Sequence, residues 1–415
     1  MFNDHRINAI LIHTQDIPFY RGLYSNILLD KIHSYTDFIQ IPIIDKNDIR
    51  SNINNLLKQD VDKKKLRMER TSGSTGRVLD IYWDKNDYMR SNKEIWKLRK
   101  GLHNINVNSR MLQFHPFIAD NDSIYNTTTL KLSENILSFS WVDINEDNVE
   151  RFHTEMNDFQ PEWIYGPPSA IYQFAILLKK NNHKPVSSLK YIELTGDYVL
   201  DSHRELIDSF FNVSTSIMYG AREVNTIAYE CFERHLHIVP ENVFLEVLDE
   251  KSNPVECGET GNIVVTGLAN SVMPFIRYKL GDTGYLLNGE CCSCGNSNPI
   301  IVLESGRLTD IINLRNREPI SAVIFWYAMQ HINFHHSNPI VQFQVRQKKF
   351  DEFILFLVVR EESNKGKIAN YFLEFITTYN LVDSVEWDVK FVEHIYPSEK
   401  TGKLSYFINE IKEEE

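Results

Sequence analysis

"SLKYIELTGDYVLDSHRELIDSFFNVSTSIMYG", residues 188–220, decides the architecture. It opens with a short apolar run that ends in the turn residues Thr195, Gly196 and Asp197. It continues through "SHRELIDSFF" (202–211), whose apolar residues fall at helical spacing, and returns to an apolar run closed by Gly220. Strand, turn, helix, strand, turn is the texture of an α/β layer. The alternation extends upstream: "RMLQFH" (110–115) reads as a buried strand and "PSAIYQFAILLKK" (168–180) as a helix. In such sheets ligands bind beyond the carboxyl ends of the strands. Here the turns after the strands carry the unusual residues.

On either side the texture changes. The first sixty or so residues read as short helices with the connector "IPIIDKNDI". Residues 238–287 are short strands with Gly and Pro turns, a β-rich subdomain. After Gly306, "IVQFQVR" and "EFILFLVVR" read as a hairpin. Ile368, Tyr371, Phe372, Phe375, Ile376 and Tyr379 then follow the i, i+3, i+4, i+7 rule of a half-buried helix, and "VEWDVKFV" is a third strand. The expected organisation is a large N-terminal α/β domain over 1–306 that includes the β-rich part, and a small α+β domain over 307–415.

The bulk numbers exclude several classes. With 42% hydrophobic and 24% charged residues over 415, the chain can bury a large core and is not disordered. A formal net charge of −12 speaks against a general nucleic-acid binder. Apolar runs such as "FILFLVV" (353–359) are strand length, short of the roughly 20 residues of a spanning helix, so membrane insertion is not expected. The N-terminus has no basic start, clean apolar block or small-residue cleavage site, and a cytoplasmic location is the expectation.

Two stretches carry chemistry. "TSGSTG" (71–76) follows the basic residues Lys63, Lys64, Lys65, Arg67 and Arg70. Glycines let backbone approach an anion, and amides and hydroxyls donate to it. It is not a Walker loop, because Arg77 and Val78 stand where that motif needs Lys and Ser/Thr. The second stretch concerns the cysteines. There are five, and three of them lie between 291 and 294, a poor disulfide framework and a better metal cluster. Cys231 and His237 with Cys292 and Cys294 would complete a four-ligand structural zinc site. Cys291 and His235 are alternatives that the spacing leaves open, and Cys257 stands apart.

These segments together resemble the adenylate-forming enzymes, the superfamily of acyl- and aryl-CoA ligases and nonribosomal adenylation domains. Within it they are most similar to phenylacetate–CoA ligases and CapK-type proteins. "TSGSTG" resembles the family's phosphate loop, "LTGD" (194–197) its "sGE" turn, and "YGAREV" (219–224) its "YGxTE". "FIRYKLGDTG" (275–284) resembles "R-Y-x-T-G-D", "ESGRLTDII" (304–312) the "GRxDD" hinge, and "YPSEKTGKLSYF" (396–407) the "P-x-T-x-S-G-K" tail. The motifs occur in the family's order along nearly the whole chain. CapK-like relatives share a similar Cys/His and "C-x-C-G" arrangement.

The resemblance implies a two-domain fold with a mobile C-terminal lid, and a reaction in which a carboxylate attacks the α-phosphorus of ATP. Thr71, Ser72, Gly73, Ser74, Thr75 and Gly76 would hold the phosphates. Gly196 and Asp197, with Tyr219, Gly220, Ala221 and Arg222, would form the nucleotide-side turns, Tyr219 stacking on adenine. Glu223 would coordinate Mg²⁺, Asp282 would accept from the ribose hydroxyls, Arg307 would contact ribose or phosphates, and Lys403 would be inserted beside the α-phosphate. The acid would lie near His115–Phe117, Tyr165–Ser169, Leu194–Tyr198 and Met218–Arg222, where Phe117, Tyr165 and Tyr198 suit an aryl group. The implied activity is acyl-AMP formation with release of pyrophosphate, then transfer to coenzyme A. Transfer to an amine or a carrier-protein thiol is the alternative, and a non-catalytic nucleotide-binding scaffold is the non-enzyme alternative. Three departures from the pattern stand out: Arg222 where the family has Thr, Thr309 where the hinge has its first acidic residue, and Asn316 where Gly is usual.

Overall fold

The computed structural model describes residues 5–25, 27, 29, 32–70, 79–115, 129–196, 199, 201–304, 311–315, 317, 319–336, 339–360, 365–379, 381–382, 385–395 and 406–411. The chain divides into two units. The first comprises Met1–Ser72, Val78–Val107 and Ser216–Gly306, and the second Gly73–Arg77, Asn108–Thr215 and Arg307–Glu415.

The first unit begins with the short helices His5–Thr14, Pro18–Leu23, Tyr35–Phe38 and Lys46–Ser51. Two of them start with reciprocal capping boxes, Ser34 with Asp37 and Asp45 with Asp48, which satisfy N–H groups that a short helix leaves open. Its main sheet is an antiparallel run in the spatial order Val243–Leu248, Gly261–Gly267, Tyr278–Leu287, Ile300–Glu304, Leu236–Ile238, Asn225–Glu230 and Ser214–Ala221. Val243–Leu248, Gly261–Gly267 and Tyr278–Leu287 fall within the β-rich part expected over 238–287, and the sheet extends beyond that span to Ser214–Ala221 and Ile300–Glu304. A separate hairpin pairs Arg67–Arg70 with Asp80–Trp83. The helix Lys85–His103 follows it, capped by the Asp84 side chain and ended by Asn104 in the left-handed region. Ile7, Tyr20, Phe38, Trp83, Phe275 and Tyr278 are among the buried residues of one continuous core.

The second unit holds the α/β layer. Tyr191–Leu194, Trp163–Gly166, Met111–His115 and Ile136–Ser140 lie side by side in parallel, and Thr129–Ser133 adds an antiparallel edge. The helices Glu146–Phe159, Pro168–Lys180 and Asp201–Phe211 pack on it around Phe114, Phe139, Phe152 and Phe174. Residues 311–411 form a second core of their own, around Phe325, Leu355, Phe372 and Phe407. There Ile340–Lys349 and Glu352–Val359 make the expected hairpin. Glu386–Phe391 and Phe407–Asn409 extend it in parallel on its two sides. The helices Val323–His335 and Lys365–Thr377 complete this core. Among the described residues no helix is long and apolar enough to cross a membrane.

One buried ion pair joins the N-terminal helices to the antiparallel sheet. Arg277 Nε and Nη2 each donate to the Glu246 carboxylate at 3.1 Å, and its Nη1 donates to the carbonyls of Ile39 and Ile41 at 2.7 Å. Tyr35 donates its hydroxyl to Glu246 Oε1 at 3.0 Å. Desolvation raises the Glu246 pKa, and the facing guanidinium works against that rise. Removing the cation alone would strand a buried carboxylate, which costs about 3 to 5 kcal/mol in such sites. Arg277→Met is therefore expected to lower the urea midpoint sharply, while Arg277→Met with Glu246→Leu recovers much of the loss. Equal losses in the single and double variants would contradict this account.

Candidate active site and metal centre

The "YGAREV" and "FIRYKLGDTG" segments meet in the first unit. Tyr219, on Ser214–Ala221, donates its hydroxyl to Asp282 Oδ2 on Tyr278–Leu287 at 2.9 Å. Four residues on from Tyr219, Glu223 turns inward and accepts from the Tyr278 hydroxyl at 3.1 Å. Between them Gly220 is required: a Cβ there would lie 2.7 Å from the Asn225 carbonyl oxygen. Ala221 ends the strand. Glu223 is only 7% exposed, which makes it a buried carboxylate and not a surface group. Burial raises its pKa; its own backbone N–H, the Lys46 cation and the Tyr278 hydroxyl offset part of that, and Asp282 adds to the rise. A buried anion of this kind suits a nearby cation.

Arg222 pairs with Glu69. Its Nη1 lies 2.7 Å from Glu69 Oε2, and its carbonyl accepts from the Trp83 indole N–H at 3.2 Å. Glu69 and Trp83 sit on the two strands of the hairpin that flanks residues 71–78. Both ends of the hairpin stem therefore hold the 219–223 turn.

Gly196 belongs to the second unit. It follows the strand Tyr191–Leu194 with φ +95°, a backbone state that glycine adopts without steric cost. Thr71, Ser72, Gly73, Ser74, Thr75, Gly76, Asp197, Arg307 and Lys403 lie outside the described residues, as do Phe117 and Tyr198.

The cysteine cluster assembles from two chain segments of the first unit. The ligand atoms of Cys231, His237, Cys292 and Cys294 all lie within 4.8 Å of one another. The Cys231 and Cys292 sulfurs are 3.7 Å apart, and Cys294 Sγ is 3.3 Å from His237 Nε2. A disulfide needs about 2.05 Å. Tetrahedral zinc, with Zn–S of about 2.3 Å and Zn–N of about 2.0 Å, sets ligand atoms on the order of 3.5 to 3.8 Å apart. His237 Nδ1 lies 2.8 Å from the Asn298 carbonyl, so its N–H can donate there and leave Nε2 for a metal. His235 Nδ1 approaches Cys292 Sγ at 3.1 Å, the position of an outer hydrogen bond to a thiolate. Cys291 is exposed and outside the quartet, and Cys257 is exposed elsewhere. Burial pushes the Cys231 thiol up to about 12. Gly289 lets the loop close: a Cβ there would meet the Asn298 oxygen at 2.0 Å.

The sequence reading did not single out Tyr278, Glu69, Trp83 or Asn298. Tyr278 was the most accessible of these, since it stands inside the quoted "FIRYKLGDTG".

No family model matches the chain. It is 26% identical over 379 residues to protein CapK of Staphylococcus aureus, an alignment that spans 90% of this chain and 80% of that one. It is 25% identical over 325 residues to phenylacetate–coenzyme A ligase of Thermus thermophilus, spanning 75% and 71%. Among solved structures it is similar to a 2-hydroxyisobutyryl-CoA ligase in complex with 2-HIB-AMP and CoA in the thioesterification state. That match has a TM-score of 0.64 at 18% identity and covers 98% of this chain and 88% of the other. The chain has the fold of the adenylate-forming ligases, and the resemblance drawn from its motifs holds over most of its length.

The burial of Glu223 predicts a pH signature. Its folded pKa is raised, so its favourable contribution is fully present below the unfolded value. That contribution is lost as pH rises through the folded pKa, where the buried charge becomes a cost. Glu223→Gln keeps the Tyr278 partner without the charge. In nucleotide-free protein its melting temperature is expected to exceed that of wild type at pH 8, with the gap narrowing toward pH 5. A pH-independent gap, or a less stable variant at pH 8, would refute the assignment.

Proposed function

We propose that this chain is an ATP-dependent acid–thiol ligase that works through an acyl-adenylate. The observation that carries this reading is the convergence of Tyr219, Glu223 and Asp282 in one site of an adenylate-forming fold. The acid carboxylate oxygen attacks the α-phosphorus of ATP, the bond to the bridging oxygen breaks, and pyrophosphate leaves with the electron pair. Residues 71–76 would hold the outgoing phosphates. Tyr219 would face adenine, Asp282 would accept from ribose, and Gly196, Asp197, Gly220, Ala221 and Arg222 would shape the nucleotide-side turns.

Glu223 would hold Mg²⁺, whose charge draws density from the phosphates. The fit rests on a buried carboxylate whose charge is costly without a cation. Lys403 would aim its ammonium at charge developing on the α-phosphate, and Arg307 would bind the ribose or phosphates. In the second step the thiol of coenzyme A attacks the acyl carbonyl and AMP departs. Residues 307–415 would act as the lid over a 1–306 domain and present Lys403 only for the first step. An aryl acid suits the aromatic side chains implied for the pocket, and a cytoplasmic location suits the use of ATP and coenzyme A. Asn316, in place of glycine near the hinge, keeps an amine or carrier-protein thiol as the second acceptor reading.

Zinc would be the resident structural metal, held by Cys231, His237, Cys292 and Cys294. Three thiolates and one imidazole leave no open position, so the ion would join the 231–237 and 292–294 segments and take no part in the reaction.

Two measurements test these readings. ATP–pyrophosphate exchange against a panel of aromatic, aliphatic and amino acids should find an active acid, and Asp282→Ala should abolish the exchange. Lys403→Ala should lose exchange by roughly 10²- to 10³-fold, yet still pass the acyl group from supplied acyl-AMP to coenzyme A. No exchange with any acid would refute the adenylation reading, and unaltered exchange in Lys403→Ala would refute the role of that lysine. Separately, protein purified without added metal should carry about one zinc per chain, lost in Cys292→Ser. Wild-type protein free of metal, with all thiols titrating, would overturn the zinc assignment.

A further inference from the structure

The second unit gathers a different set of ligating side chains, none of which serves the proposed reaction. Asp143 closes the 3-10 helix Trp141–Asp143, directly after the strand Ile136–Ser140. His331 and His335 stand one turn apart on the helix Val323–His335, the spacing that puts two side chains on one face. One ligand atom from each of the three residues lies within 4.8 Å of the others. His335 Nε2 is 3.8 Å from Asp143 Oδ1, and the two imidazole centroids are 4.4 Å apart. His331 Nδ1 is buried with no hydrogen-bond partner among the described residues, an arrangement that calls for an explanation.

We propose that Asp143, His331 and His335 form a second metal site for a divalent transition ion of the zinc class. Two imidazoles and one carboxylate are a three-ligand donor set, and they leave a fourth position for water. Bonds of about 2.0 to 2.2 Å place such ligand atoms on the order of 3.4 Å apart. The present separations therefore need only small side-chain rotations.

Position gives the site a consequence. Asp143 adjoins the core of residues 112–211, and the two histidines belong to a helix of the core of residues 312–407. Among the described residues, other side-chain links between these two parts are polar or aromatic. Trp141 meets Tyr327 with ring centroids 5.1 Å apart, and Gln173 Nε2 donates to the Thr378 carbonyl at 3.1 Å. A metal here would clamp helix Val323–His335 to the 141–143 turn. If residues 307–415 rotate as the proposed reaction requires, the clamp would favour the orientation seen here; that consequence rests on the functional reading, whereas the site itself does not.

The test is zinc and cobalt binding by the full chain under equilibrium dialysis. Wild type should bind one equivalent more than His335→Ala, whatever the thiol cluster holds. Asp143→Asn should weaken the extra equivalent by more than about tenfold, because even outer partners of a metal ligand are worth 10- to 100-fold. His335 is exposed, so its truncation should leave the fold intact. With cobalt, the equivalent lost in these variants should lack thiolate charge-transfer absorption, and the thiol-site spectrum should persist. Amide exchange in residues 323–335 should slow when that equivalent binds to wild type. Equal metal uptake by wild type and both variants would overturn the site. Binding without slowed exchange would overturn the clamp.

Discussion

Arg277 is where the N-terminal helices, the antiparallel sheet and the candidate nucleotide site are brought into register. Its φ of 47° lies in the left-handed region, unusual for a residue with a Cβ, so the surrounding structure has to hold it there. The guanidinium does so from one side, through Glu246 and the carbonyls of Ile39 and Ile41. The backbone does so from the other: Ile44 N–H donates to the Arg277 carbonyl at 3.0 Å, and Lys279 N–H to the Ile44 carbonyl at 2.9 Å. The next residue is Tyr278, whose hydroxyl reaches Glu223, and Asp282 follows on the same strand. A shift of one residue would turn Tyr278 to the opposite face and break the pairing of Tyr219 with Asp282. A buried ion pair is a weak source of net stability compared with apolar packing, so register is the better account of its presence.

That constraint also marks where the sequence was legible. The strands Met111–His115 and Tyr191–Leu194 and the helices Pro168–Lys180 and Asp201–Phe211 stood out as short apolar runs and helical spacings between turn residues, whereas Ile136–Ser140, Trp163–Gly166 and Glu146–Phe159 did not. The hairpin and helix of 340–377 stood out by their periodicity. The helix Lys85–His103 did not, because much of its buried face is polar: Asp87, Ser91 and Arg99 lie on it beside Ile95. Those positions are satisfied by partners remote in sequence. Asp87 accepts from the Ser271 backbone N–H at 2.8 Å and also from its hydroxyl, and Ser91 Oγ accepts from Asn225 Nδ2 at 2.8 Å. The helix Val323–His335 failed for the opposite reason, since it is apolar on most sides and shows no stripe. The strand Phe407–Asn409 is three residues long, too short to carry a period.

The cysteine cluster shows how far spacing reaches. It named the two segments whose ligand atoms the structure gathers within 4.8 Å, but His235 and His237 are two residues apart, so alternation cannot rank them. The structure separates them by partner. His237 has the Asn298 carbonyl behind its Nδ1 and presents Nε2 to Cys294, whereas His235 turns Nδ1 to a sulfur already in the quartet. Cys291 and Cys292 are adjacent, and only Cys292 turns inward, because the 3-10 turn Gly289–Cys291 ends just before it.

Arg222 is the clearest departure from the family pattern, and its surroundings give it a physical role. Its ion pair with Glu69 is half exposed on the arginine side and would add little stability, about 0 to 1 kcal/mol. What the pair changes is charge. Glu69 is also 2.6 Å from Arg67, so two guanidiniums share one carboxylate and leave a positive excess. Lys63 lies over the Tyr82 ring at 5.4 Å, which places one further cation beside the same hairpin, and Arg67 itself lies over the Tyr88 ring at 4.1 Å. A threonine at 222 would leave Glu69 nearly balanced by Arg67 alone. On a chain with a formal net charge of −12, attraction of a triphosphate depends on such local excess, because the summed field of the protein repels anions. Under the proposed reading the arginine would add that excess charge at the stem that leads into residues 71–76, where a threonine would carry none.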